Sequence, residues 1–308
     1  MNSNGNGVLD ELELADPALM RICPNIFWVM LRVPRTALRL ALVAVRAITL
    51  QRMSIDWRIQ AAATVVHDVP AAYPGGPSHR AGSQLVLTSI VHAPDGPTAF
   101  LDPSAVAIAL SIAAKTSQQG DLMRASFATA SIPSADGTIQ LLSSEATHKL
   151  FDYFERCFTA TIFAFQAIEA YCNFKIAYTL QGQMRVRRRK SEELMGREQI
   201  ERLPTDEKLD LVLPKLLKRA SPKGTVTWEK FRELESVRDA TVHLKSHHQW
   251  GSSQSFDDSP YAVYLRESPT TLVVRAVDVI RYFSGPHETE WLDGASAILS
   301  GQNPNAQP

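Results

Sequence analysis

Between Ser144 and about Leu180 the chain places Phe151, Phe154, Phe158, Ile162, Phe165, Ile168, Cys172 and Ile176 three or four residues apart. That spacing returns to one side of an α-helix at every turn, whereas a strand would scatter it over two faces. It predicts a single helix of about ten turns, opened at Ser144-Glu145 by a residue type that caps helix starts. A stripe this long is buried only by other helices. The fold built around it is therefore expected to be mainly α, a bundle of four to five helices.

The partners follow in order. Asp206–Arg219, capped by Thr205, carries Leu209, Val212, Leu213, Leu216 and Leu217 on one side. Ser221-Pro-Lys-Gly224 reads as a turn, and Trp228 to about His247 as the next helix. Thr270–Phe283 closes the set, with Leu272, Val273, Ala276, Val279, Ile280 and Phe283 as its stripe. Between the first and second of these lies Arg185-Val-Arg-Arg-Arg-Lys190, followed by a charged, helix-like stretch to Leu203. The helical domain is placed at about 144–285, with 286–308 as a C-terminal tail.

The first 142 residues read differently. Residues 1–20 form an acidic tail by composition, and 21–142 a smaller α+β accessory region. Within it an amphipathic helix is expected over 35–53, just after Pro34. Ala61–Val69 is short, apolar and β-branched, and Gln84–His92 suits a strand. A helix is expected over Ser104–Ala114, opened by Asp102-Pro103-Ser104, and a turn at Ala135-Asp136-Gly137.

Charge is balanced in total but not along the chain. From His148 to His248 nineteen Lys and Arg face fourteen Asp and Glu, while the flanking segments are neutral and acidic. A basic middle suits a polyanionic partner. Cys23, Cys157 and Cys172 are few, odd in number and widely spaced. That argues for a reducing compartment, the cytoplasm, and against a disulfide framework or structural zinc. The apolar run Ile26–Leu50 is interrupted by Arg32, Arg35, Arg39 and Arg46, so no transmembrane segment is expected, and a membrane-surface helix is the lesser reading. No glycine-rich phosphate loop and no nucleophile elbow occur, so no cofactor is expected.

Helical angles at about 100° per residue locate the chemistry. On the Trp228 helix, Trp228, Phe231, Leu234, Val237 and Val242 define an apolar arc that contains Arg238. On the long helix Glu169 falls within the arc of Phe154, Phe158, Ile162, Phe165 and Cys172. A buried unpaired charge costs several kcal/mol, so Glu169 and Arg238 are expected to meet or to share a polar seam. His243 stands at the edge of its arc, roughly 7.5 Å beyond Arg238 along the axis. Asp239, four residues earlier, is placed to hydrogen-bond that imidazole. Such a set suits phosphodiester cleavage: Arg238 grips phosphate, His243 handles a proton, Asp239 orients the histidine and Glu169 positions the arginine. Arg185, Arg187, Arg188, Arg189 and Lys190 form the expected RNA-backbone contact. His243, His247 and His248 lack a third ligand, and no metal site is assigned.

Arg238-Asp-Ala-Thr-Val-His243 resembles the R-x(4–6)-H motif of the HEPN superfamily, with a polar residue directly after the arginine. Ala167-Ile-Glu-Ala-Tyr-Cys-Asn173 looks like that family's first long helix. Asp206-Glu-Lys-Leu209 is similar to the start of its next core helix, and Trp228-Glu-Lys-Phe-Arg-Glu-Leu234 to the lead-in to the motif. The resemblance implies a homodimer that apposes two motifs and a metal-independent endoribonuclease leaving a 2′,3′-cyclic phosphate. It further implies a toxin or phage-defence effector with an antitoxin or defence-system partner. The alternative is a catalytically silent HEPN-like module that dimerises or binds RNA or a partner protein.

Overall fold

A computed structural model describes residues 56–60, 62–64, 68, 70, 78, 80–81, 84–86, 88–134, 137–188, 191–244, 259–285 and 288–304. The expected helix over 35–53 and the acidic tail lie outside these residues. The chain divides into two compact units, Met1–Met53 with Ala61–Asp102, and Ser54–Gln60 with Pro103–Pro308.

In the first unit the described elements are two antiparallel pairs. Strand β1 (Ala62–Thr64) pairs with β2 (Gln84–Val86), and β3 (Thr88–Ala93) with β4 (Gly96–Leu101). The β-branched run expected as one strand over Gln84–His92 is therefore shared between two. The tight β3–β4 connection passes through Gly96 at φ 119°, a conformation that favours glycine.

The second unit is mainly helical. Helix α1 (Ala105–Ala125) starts where Ser104 Oγ accepts the N–H of Ala107, the cap its sequence promised, but runs well past Ala114. The hairpin β5 (Thr129–Ser134) and β6 (Gly137–Leu142) leads to α2 (Ser144–Thr179). The second hairpin is β7 (Gln183–Arg188) and β8 (Ser191–Gly196), followed by α3 (Arg197–Glu201). Helix α4 (Thr205–Glu207), a π-helical turn Lys208–Val212 and α5 (Leu213–Leu217) form one continuous segment. Then come α6 (Val226–Val242), α7 (Pro260–Arg266), α8 (Pro269–Phe283) and α9 (Thr289–Leu299).

Helix α2 is the axis, and its buried face holds Phe165, Ile168, Cys172 and Ile176 of the expected stripe but departs from that stripe in the first half of the helix. Tyr153, Cys157, Ala160, Ala164, Ile168 and Tyr171 are inside, whereas Phe151 is 61% exposed and Ile162 37%. Small residues decide this. Alanines let α1 and α8 approach closely, while Phe154 and Phe158 lie along the groove edge against Tyr261. Gly120 on α1 is part of the same fit, because a Cβ there would stand 3.2 Å from Pro269.

Three further expectations are corrected. The charged stretch after Leu180 forms the β7–β8 hairpin before a short helix, because Val186 points into the core while its neighbours Arg185 and Arg187 point out, a period of two. Residues 289–299 are a helix and not a tail. Trp291, Leu292, Ala295 and Ile298 are buried on it, and Trp291 Nε1 donates to the carbonyl of Ile59. The helical unit therefore takes in α1 and α9, beyond the 144–285 span. Among the described residues no helix is long and apolar enough to cross a membrane.

Candidate functional site

Helix α6 is held on α2 by Phe231, Leu234, Val237 and Thr241, with the Phe231 and Phe165 rings 6.1 Å apart. Its last turn is pinned more specifically. Tyr264 on α7 places its hydroxyl 2.7 Å from Thr241 Oγ1 and donates to Thr161 Oγ1 on α2 at 3.0 Å. These buried hydroxyls satisfy one another where the motif leaves the helix, so the fourth residue of the Arg238–His243 run is structural.

Arg238 lies at the edge of this interface with its side chain 27% exposed. Its guanidinium carbon is 3.8 Å from the centre of the Phe165 ring, a cation–π placement, and Nη1 is 2.7 Å from Asp239 Oδ1. Its Nε is buried without a hydrogen-bond partner. An arginine so placed is oriented by one ring and one carboxylate, and part of its side chain remains open to solvent.

The expected partnership with Glu169 does not form. Glu169 is exposed on α2, and the arginine takes its carboxylate from Asp239. Asp239 in turn does not orient the imidazole through its side chain. It is the Asp239 backbone carbonyl that accepts the N–H of His243, at 2.8 Å. Helix α6 ends at Val242, short of His247, and His243 (φ −114°, ψ 60°) is its exposed C-terminal cap. His247 and His248 lie outside the described residues. Among the described residues no group of three or more His, Cys, Asp or Glu is arranged to hold a metal ion.

Glu235, one turn before Arg238, was not singled out by the sequence. Its side chain is 16% exposed, hydrogen-bonded by Arg232, which also stands 4.0 Å from Asp206 at the start of α4. Burial pushes its carboxyl above the usual carboxylate range. Arg232 draws it back, while Asp206 and Asp239 add to the rise against a smaller pull from Arg238.

The basic hairpin is a separate place. Arg185 and Arg187 are exposed on β7, Arg185 lies 3.9 Å from Glu192, and its carbonyl accepts from Lys215 Nζ. Nothing is described of the Arg188 side chain, and Arg189 and Lys190 lie outside the described residues. From Phe165 to Thr179, α2 rises about 21 Å at about 1.5 Å per residue. Helix α6 runs the other way, from Phe231 beside Phe165 to Thr241 joined to Thr161 by way of Tyr264, so His243 stands at the end of α6 that is farther from the hairpin. Arg238 and His243 share one helix end; the arginine run does not join them.

Comparison of the chain with protein-family profiles, with characterised proteins and with solved structures returns no match in any of the three.

Proposed function

We propose that the helical unit is a metal-independent endoribonuclease of HEPN type, acting as a homodimer with RNA as its substrate. The observation that carries this reading is the placement of Arg238: over the Phe165 ring, tethered by Asp239, partly open to solvent and on the same helix end as an exposed histidine. The arginine would bind a non-bridging phosphate oxygen and stabilise the charge that grows there. The 2′-oxygen attacks phosphorus, the bond to the 5′-oxygen breaks, and a 2′,3′-cyclic phosphate and a 5′-hydroxyl result. His243 exchanges a proton with one of those oxygens. Arg185 and Arg187 would hold the backbone of a longer RNA at a distance from the cut. A toxin or phage-defence role, with an antitoxin or defence partner, goes with this assignment.

A second reading is favoured by one contact. Asp239 already occupies Arg238 Nη1, which suits a silent HEPN-like module that dimerises or binds RNA or protein. Incubation with single-stranded RNA in EDTA separates the two. The nuclease reading requires cleavage to cyclic-phosphate ends that His243→Ala and Arg238→Ala abolish. Wild type and His243→Ala behaving alike would leave only the module.

A further inference from the structure

Strands β5 and β6 are a lone hairpin in the helical unit. Among the described residues β6 hydrogen-bonds on one side only, to β5, and every residue of the two strands except Leu142 is exposed. Two strands with both faces in water are marginally stable, and a further strand stabilises them. The pairing pattern shows where one fits. Pro133 has no N–H to give, so Pro133 and Thr138 form a pair without mutual hydrogen bonds. By alternation Ser131 with Gln140 and Thr129 with Leu142 are pairs of the same kind. The amides and carbonyls of Thr138, Gln140 and Leu142 therefore point away from β5. Gln140 Nε2 donates to Ser131 Oγ at 2.8 Å on one face, while Ile132, Ile139 and Leu141 form an exposed apolar strip on the other.

The two edges of this hairpin are not alike. The β5 edge is interrupted by Pro133, a residue that guards open strands, whereas β6 (Gly-Thr-Ile-Gln-Leu-Leu) carries neither proline nor charge. The β7–β8 hairpin of the same chain places Arg185, Arg187, Glu192 and Glu193 on its strands. We propose that the β6 edge is a self-pairing surface whose partner is β6 of a second copy, antiparallel across a two-fold axis. Only a register centred on Gln140 pairs all the outward residues, Gln140 with its own counterpart and Thr138 with Leu142, through about six hydrogen bonds. That register also sets Ile139 of one copy against Leu141 of the other, so the apolar strips cover each other and no like charges meet. One strand pair lies below the roughly 1,200 Å² of a lasting interface, so the contact is reversible, with a dissociation constant of about 1–100 μM. From Ser144 to Thr161, where Tyr264 ties down the end of α6, α2 rises about 25 Å. The β6 contact is thus separate from any apposition of two Arg238–His243 motifs and does not rest on the ribonuclease reading. A chain making both contacts assembles into a tetramer.

The test is sedimentation velocity of the full chain from about 2 to 200 μM, with wild type, Gln140→Pro, Gln140→Lys and Ser131→Lys. Proline at 140 removes the central outward N–H yet takes no hydrogen bond from β5, and lysine sets like charges face to face across the axis. Each should halve the mass of the largest species, dimer to monomer or tetramer to dimer, without lowering the melting temperature by more than a few degrees. Ser131→Lys puts the same charge on the guarded β5 edge and should associate as wild type does. In a Cys23→Ser chain, Gln140→Cys should form an intermolecular disulfide on mild oxidation, because paired Cα atoms there lie about 5.5 Å apart, and Ser131→Cys should not. A wild type that stays monomeric at every concentration overturns the pairing and, with it, the homodimer of the ribonuclease reading. A wild-type dimer that keeps its mass in both Gln140 variants overturns the pairing alone and leaves a dimer made elsewhere.

Discussion

The Arg238 guanidinium carbon lies over Phe165, 3.8 Å from the ring centre, while Asp239 holds Nη1 at 2.7 Å. Lysine at this position keeps the charge but neither the planar stack nor the fork of donors. If the chain is the proposed ribonuclease, Arg238→Lys should therefore lower RNA cleavage about a hundredfold, the scale of losing one preorganised oxyanion donor. Its thermal midpoint should stay within a few degrees. Initial rates beside a melting curve check this, and full activity in the lysine variant would separate Arg238 from the chemistry.

Tyr264 ties the end of α6 to α2 through Thr241 and Thr161. Burial raises its phenol to about 12, so it remains a neutral hydroxyl throughout the working range. Tyr264→Phe fits the same space but strips a buried donor and acceptor from two threonines. A loss of about 1–3 kcal/mol in urea unfolding is expected. Faster hydrogen exchange at the amides of Thr241 and Val242 should accompany it.

Gly294 on α9 lies against the indole of Trp57, where an added Cβ would collide with the ring, at 2.6 Å from Cε3. Gly294→Ala should cost about 1–3 kcal/mol by overpacking, despite its better helix propensity. Trp57→Leu in the same chain should recover part of that loss. A stabilised Gly294→Ala protein would mean that the Trp57 segment is not seated there.

Cys157 and Cys172 are buried, and burial pushes both thiols to about 12. At neutral pH almost no thiolate exists to react. In a Cys23→Ser chain a chromogenic disulfide reagent should give no signal until denaturant is added, then two equivalents. Rapid reaction in the native state would refute the packing of α2.

The helical core was readable where apolar spacing is regular. Helix α2 begins at Ser144 and ends at Thr179, close to the expected span, and α8 runs Pro269–Phe283 against an expected Thr270–Phe283. The buried side of α2 was readable in its second half, where Phe165, Ile168, Cys172 and Ile176 are inside, but not in its first, where weight was given to Phe151 and Ile162 while the interface is set by Tyr153, Cys157, Ala160 and Ala164. The β7–β8 hairpin was missed because its alternation is written in arginine and valine within a charged run. Helix α9 was missed because its buried residues, Trp291, Leu292, Gly294, Ala295 and Ile298, are few and close to the end of the sequence, where a tail was expected. At the candidate site, Arg238 and His243 were legible on one helix. Phe165 was seen only as core, and the choice of Asp239 over Glu169 depends on how α6 is turned against α2. Angles taken from an isolated helix do not contain that rotation.

Glu235 makes a prediction about stability that is independent of any RNA. Its carboxyl is raised by burial and by Asp206 and Asp239, so the fold favours the protonated form relative to the unfolded chain. The stability this contributes is complete below the ordinary carboxylate value and is lost as pH rises through the raised one. At neutral pH the ionised Glu235 is a net burden that Arg232 only partly offsets. Glu235→Gln, which cannot ionise, should therefore melt higher than wild type at pH 7, with the difference closing near pH 4. Equal melting temperatures at both pH values would instead place Glu235 in a setting no drier than water.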